Sequence, residues 1–149
     1  MNSNVERTIK LYSGLGWKSL FAKVRFWDAP FVKVEKLIPK EGVIVDLGCG
    51  EGLFTNFLGL SSRKRKVLGV EIDRERLRAA NRGLKNVTFA WGDATKVNIP
   101  KLDVIVLFHL LHHLKSYEDQ EKVIKMCFNQ LERKGKLIIV EAEKKLSFK

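Results

Sequence analysis

The sequence predicts an α/β fold: a doubly wound, mostly parallel sheet of about five strands behind a helical N-terminal extension. Three observations carry this. From Gly42 onward, short apolar runs alternate with segments of helical periodicity. A glycine-rich turn joins the first apolar run to the segment after it, and residues 1–40 place apolar side chains at helical spacing. At 149 residues the chain fits one domain, with 1–40 as a helical cap and 42–142 as the sheet core.

The elements follow in chain order. Trp17, Phe21, Val24 and Phe26 suggest an amphipathic helix. Asp28 and Pro30 open another, with Phe31, Val34, Leu37 and Ile38 on its apolar face and Pro39 as its stop. Val43 to Leu47, closed by glycines, reads as a buried parallel strand, and Leu53 to Leu60 as a short helix. Arg63 to Lys66 reads as a basic turn before a second strand, Val67 to Ile72. Asp73 is suited to cap a helix reaching about Arg82, with Leu77 and Ala80 inward. Val87 to Ala90 and Leu102 to Phe108 are the third and fourth strands. Ser116 to Asp119 resembles a capping box, opening a helix whose Val123, Ile124, Cys127, Phe128 and Leu131 form a core stripe. Lys134 and Gly135 end it, and Lys136 to Ala142 is the fifth strand.

Composition narrows the function classes. The longest nearly continuous apolar stretch, Val104 to Leu111, is far short of the about 20 residues of a membrane span. The polar start MNSNVERTIKLY and two isolated cysteines fit a reducing cytoplasm better than a secreted disulfide framework. A net charge of +11 favours anionic partners, or else reflects a lysine-rich solvated surface.

The chemistry-bearing segment is Asp46-Leu47-Gly48-Cys49-Gly50-Glu51-Gly52. Glycines between a strand and a helix let the backbone turn sharply and approach a ligand, and the helix start offers unpaired N–H groups. The spacing is G-x-G-x-G. A dinucleotide-binding fingerprint would need glycine at position 53, which is leucine.

VIVDLGCGEG closely resembles the first motif of the class I, Rossmann-like S-adenosylmethionine-dependent methyltransferases, and the likeness runs from about Gly42 to Ala142. It implies S-adenosyl-L-methionine as cofactor and S-adenosyl-L-homocysteine as product. By that resemblance Asp46, Gly48, Cys49, Gly50 and Gly52 line the methionine and ribose end, Asp46 acting on the ammonium group. Glu71, 21 residues after Gly50, suits the two ribose hydroxyls, because a carboxylate accepts both bonds. Ile72 packs on the adenine, Phe108 adjoins the cofactor, and Trp91-Gly92-Asp93-Ala94 resembles the family's G-D-A motif, with Asp93 accepting from the adenine amino group and Ala94 donating.

The acceptor is expected beyond the fourth strand, where the chain reads Phe108-His109-Leu110-Leu111-His112-His113-Leu114 and holds its only histidines. This is similar to the L-H-H-L stretch of small-molecule and lipid methyltransferases. His109 is the candidate base or acceptor-orienting group, with His113 beside it. No glutamate stands in the H-E-x-x-H arrangement between them, so no metal is expected. The acceptor class implied is a small molecule or lipid. Alternatives are RNA, from the charge and the Arg63–Lys66 turn, or a non-catalytic cofactor-binding subunit. The family's usual C-terminal strand pair has no counterpart in the residues left after the fifth strand, so a homodimer or partner subunit is expected to cover that edge.

Overall fold

A computed structural model of the chain describes residues 3–99 and 101–142. Helices α1 (Ser3–Leu11), α2 (Trp17–Asp28) and α3 (Phe31–Glu35) precede β1 (Gly42–Leu47). Then come α4 (Leu53–Ser61), β2 (Arg65–Glu71), α5 (Arg74–Ala80), β3 (Val87–Trp91), β4 (Leu102–Phe108), α6 (Tyr117–Gln130) and β5 (Leu131–Val140). The five strands form one sheet in the order β3-β2-β1-β4-β5, with every pairing parallel. Order reverses between β1 and β4, so a crevice opens beyond the carboxyl ends of those two strands.

Alternation along the strands splits the core in two. Ile44, Val104, Val106 and Phe108 face a layer that includes Tyr12, Ala22, Phe31, Val34, Phe54 and Phe57. Val45, Leu47, Ile105 and Leu107 face the other way, onto Val123 and Cys127. Helices α1 to α3 therefore share the core of the sheet.

Two caps stand where the sequence places them. The Asp73 carboxylate accepts from the N–H groups of Glu75 and Arg76, and Ser116 Oγ accepts from Asp119 N–H at 3.1 Å.

Three expectations are corrected. Arg63–Lys66 is not a solvated basic turn throughout, because Arg65 opens β2 and its side chain is fully buried. Its guanidinium pairs with Glu35 at 2.8 Å and donates to the carbonyls of Pro39, Ile38 and Leu58. The stripe on α6 is also narrower than its sequence suggests: Val123 and Cys127 are buried, while Ile124 and Phe128 are exposed. Finally, α6 ends at Gln130 and β5 begins at Leu131, four residues before the expected stop. Gln130 is anchored by Val97 O and Ile99 N–H, and Gly135 lets the bulged strand lie against Leu102 O. The expected lack of a terminal strand pair concerns residues 143–149, outside those described.

Candidate active site

The turn after β1 is built from left-handed backbone. Gly50 has φ 56° with open space where a Cβ would stand, and it borders a cavity of about 1020 Å³. Gly52 has another role than the one expected. A Cβ there would meet Ala80 and Phe89 at under 3 Å, so Gly52 stands behind the cavity and lets α4 pack on its neighbours. Asp46, Gly48, Cys49 and Gly50 line the cavity, as do Glu71, Ile72, Asp93, Ala94 and Phe108 from the next three strand ends.

The acids are held in different ways. Asp46 is buried; Oδ2 accepts from Thr55 Oγ1 at 2.6 Å, and Oδ1 has no protein partner. Burial lifts its carboxyl from 3.8 to about 6, and the Glu71 carboxylate adds to the effect. A buried acceptor without a donor, at the wall of a cavity, fits a cationic ligand group. Glu71 takes three backbone N–H groups, from Gly50 at 2.7 Å and from Ile72 and Asp73 at 2.9 Å each. A carboxylate offers about four acceptor sites. Three of them are taken by the protein's own backbone. Asp93 Oδ1 accepts from Thr95 N–H and Oγ1, which holds its carboxyl below the usual range. Its Oδ2 stands 3.7 Å from Lys96 Nζ.

On the opposite wall, Phe108 packs against Phe31 and Phe54, and Phe21, Arg25 and Asp28 reach the cavity from α2. His109 has φ 55°, rare for a residue with a side chain, and its N–H bonds Val140 O at 2.7 Å. Burial, and after it the Arg25 guanidinium, push its imidazole below the usual histidine range, which favours the neutral ring. The left-handed bend takes His109 out of line with the one-turn 3-10 helix Leu111–His113, so the i, i+4 relation to His113 does not form. His109 instead stands beside His112, with ring centres 6.1 Å apart, while His113 lies against His112 at 4.1 Å and also borders the cavity. His112 Nδ1 is 2.6 Å from Glu141 Oε2, whose other oxygen accepts from Leu111 N–H at 2.8 Å. The donor atoms of His109, His112 and Glu141 lie within 4.8 Å of one another.

With this geometry in view, a sequence model of the methyltransferase domain matches residues 45–139. The chain belongs to the methyltransferase domain family. This methyltransferase domain is 30% identical over 139 residues to indole glucosinolate O-methyltransferase 5 of Arabidopsis thaliana, covering 93% of the chain and 35% of that protein. Its fold is similar to DesVI of Streptomyces venezuelae (TM-score 0.68, 20% identity, 81% of this chain and 53% of that one). It is also similar to SAM-bound CalS10, an amino pentose methyltransferase of Micromonospora echinaspora (TM-score 0.64, 19% identity, 76% and 48%). The chain thus spans about a third of the length of the plant relative and about half of each solved protein.

Two residues that brace side chains of the methyltransferase domain's cavity, Glu141 behind His112 and Thr55 behind Asp46, escaped the sequence reading. Glu141 was findable, since it follows the carboxyl end of β5, where ligands of open α/β sheets lie. Thr55 carries no local signal; only the packing of α4 brings it to Asp46. No helix among the described residues is long and apolar enough to cross a membrane.

Proposed function

We propose that this chain is an S-adenosylmethionine-dependent methyltransferase acting on a small-molecule or lipid-type acceptor. The observation that carries the reading is the unpaired, buried Oδ1 of Asp46 beside the Gly50 cradle. Asp46 would hold the cofactor's ammonium group, Gly48, Cys49 and Gly50 its amino-acid portion, Glu71 a ribose hydroxyl, and Ile72, Asp93 and Ala94 the adenine. Bound, the cofactor supplies an electrophilic methyl group on a sulfonium. Titration calorimetry tests this: S-adenosylhomocysteine is expected to bind and NAD not to. Binding of NAD in preference would overturn it.

What remains for the protein is alignment, exclusion of water and, for a hydroxyl acceptor, removal of a proton. His109, at the cavity wall and with its neutral form favoured by burial, is suited to orient the acceptor or take its proton. His112, braced at Nδ1 by Glu141, leaves Nε2 for the same work, and His113 stands against it. His109→Ala is expected to lower kcat about 10²–10⁴-fold with cofactor affinity unchanged, if the proton is taken there. An unchanged kcat would remove His109 from the reaction.

We read the reaction as metal-independent, since Nδ1 of His112 and Oε2 of Glu141 already partner one another at 2.6 Å. Turnover is expected to survive EDTA; a loss that zinc or nickel restores would assign a cation to these residues.

With both cysteines free and one of them buried, we place the chain in a reducing cytoplasm. The outer edge of β5 is unpaired among the described strands, and Ile139 on it is exposed, so we propose a homodimer or partner subunit there. Light scattering is expected to show more than a monomer; a monomer at all concentrations would overturn this. RNA is the weaker acceptor, because burial of Arg65 removes a cation from the basic turn.

A further inference from the structure

Helix α2 has one face too many for a surface helix. Its inner face is used: Ala22 is buried, Phe26 packs edge-on against Phe31 and Phe57, and Phe21 and Arg25 border the cavity. Its outer face is apolar as well. Trp17 (66% exposed), Leu20 (66%), Val24 (50%) and Trp27 (90%) follow one another at intervals of three, four and three, which sets them in one line along the helix. A water-facing helix carries charged side chains at such positions; two tryptophans there suit a boundary between water and hydrocarbon.

Charge narrows the occupant. From Ser3 to Glu35 there are six basic residues (Arg7, Lys10, Lys18, Lys23, Arg25, Lys33) and three acidic ones. One of the acids, Glu35, is buried on Arg65, which leaves Glu6 and Asp28. Lys18 Nζ lies 5.8 Å from the Trp17 ring centre, and Lys23 is exposed next to Val24. An apolar line rimmed by lysines, in a chain of net charge +11, matches a surface of negative headgroups over acyl chains. The line also leads inward: Trp17 meets Phe21 edge-on at 5.9 Å, and Phe21 borders the cavity.

We propose that α2 docks on an anionic phospholipid surface, with Trp17, Leu20, Val24 and Trp27 at the headgroup–acyl boundary and Lys18 and Lys23 at the phosphates. The cavity then opens beside the bilayer, within reach of an acceptor held there. This extends the lipid-type reading of the acceptor, yet vesicle binding needs neither cofactor nor turnover, so each can fail alone.

The test is sedimentation of the full chain with vesicles of phosphatidylcholine and phosphatidylglycerol in equal parts, against phosphatidylcholine alone. Wild type is expected on the anionic vesicles and largely in solution with the neutral ones. Trp17→Ser with Trp27→Ser, both exposed, is expected to lower partitioning about tenfold or more at unchanged circular dichroism. Lys23→Glu, which spares the apolar line, is expected to weaken binding to anionic vesicles only, and decides the matter if the double variant does not fold. Absence of wild type from anionic vesicles overturns the proposal. So does undiminished binding by the double variant, which would leave unspecific charge attraction, shared with RNA, as the cause. So does a wild-type dimer that the tryptophan exchanges dissolve, which would assign the line to a second copy of the chain.

Discussion

Arg65→Ala is expected to lower stability by about 3–5 kcal/mol, the loss found when one partner of a buried ion pair is removed. The guanidinium fills a fully buried position and gathers Glu35, Ile38, Pro39 and Leu58, fastening α3 and the entry to β1 against α4. Without it the Glu35 carboxylate keeps only Lys40, at 2.6 Å, and four carbonyls lose a donor. In a domain of this length 1 kcal/mol moves the melting temperature by about 2–4 °C, so a fall of about 6–20 °C should appear in a thermal melt. Arg65→Lys should recover part of it, since one ammonium cannot span the same set. A change of a degree or two would mean that the network adds little.

Asp46→Asn is expected to do opposite things to stability and to binding. The folded-state value of about 6 lies above the unfolded 3.8. Stability from this group is therefore fully present below about pH 3.8 and is lost as pH rises through about 6. Above that, holding the charge costs about 3 kcal/mol. The uncharged variant, free of that cost, should melt higher than wild type at pH 8, and the two should converge near pH 4. Cofactor affinity should fall in the variant about ten- to a hundredfold, as for loss of a hydrogen bond to a charged partner. Wild-type affinity should itself weaken as pH drops through 6. Calorimetry and melts across this pH range check both; a variant that binds as tightly as wild type would take Asp46 out of the cofactor site.

Much of this was legible in the sequence because it is local. A parallel strand announces itself by a short apolar run, and Asp73 and Ser116 cap helices through bonds two or three residues away. The glycine loop and the acids at the ends of β2 and β3 are legible for the same reason. What was not legible depends on distant partners. Nothing near Arg65 says that Glu35, thirty residues back, will neutralise it. The α6 stripe reads as core at five positions, but the helix touches the sheet along a narrow line, so Val123 and Cys127 go in while Phe128 stays out. The histidine cluster was visible as a set, yet its geometry was not. The bend at His109 separates it from His113, and Glu141 arrives from a strand paired with β4.

The Tyr12 side chain joins the helical layer to the glycine loop. Its hydroxyl donates to Glu51 O at 2.6 Å and accepts from Asn56 Nδ2 at 2.9 Å, and Asn56 in turn holds Ala80 O. A ligand that steadies Glu51 therefore steadies the residue linking α1 to α2, and by reciprocity whatever braces those helices from outside tightens the grip on the ligand by the same factor. The Tyr12 phenol thus adds a polar link between the helical layer and the glycine loop to the aromatic contacts that already join them.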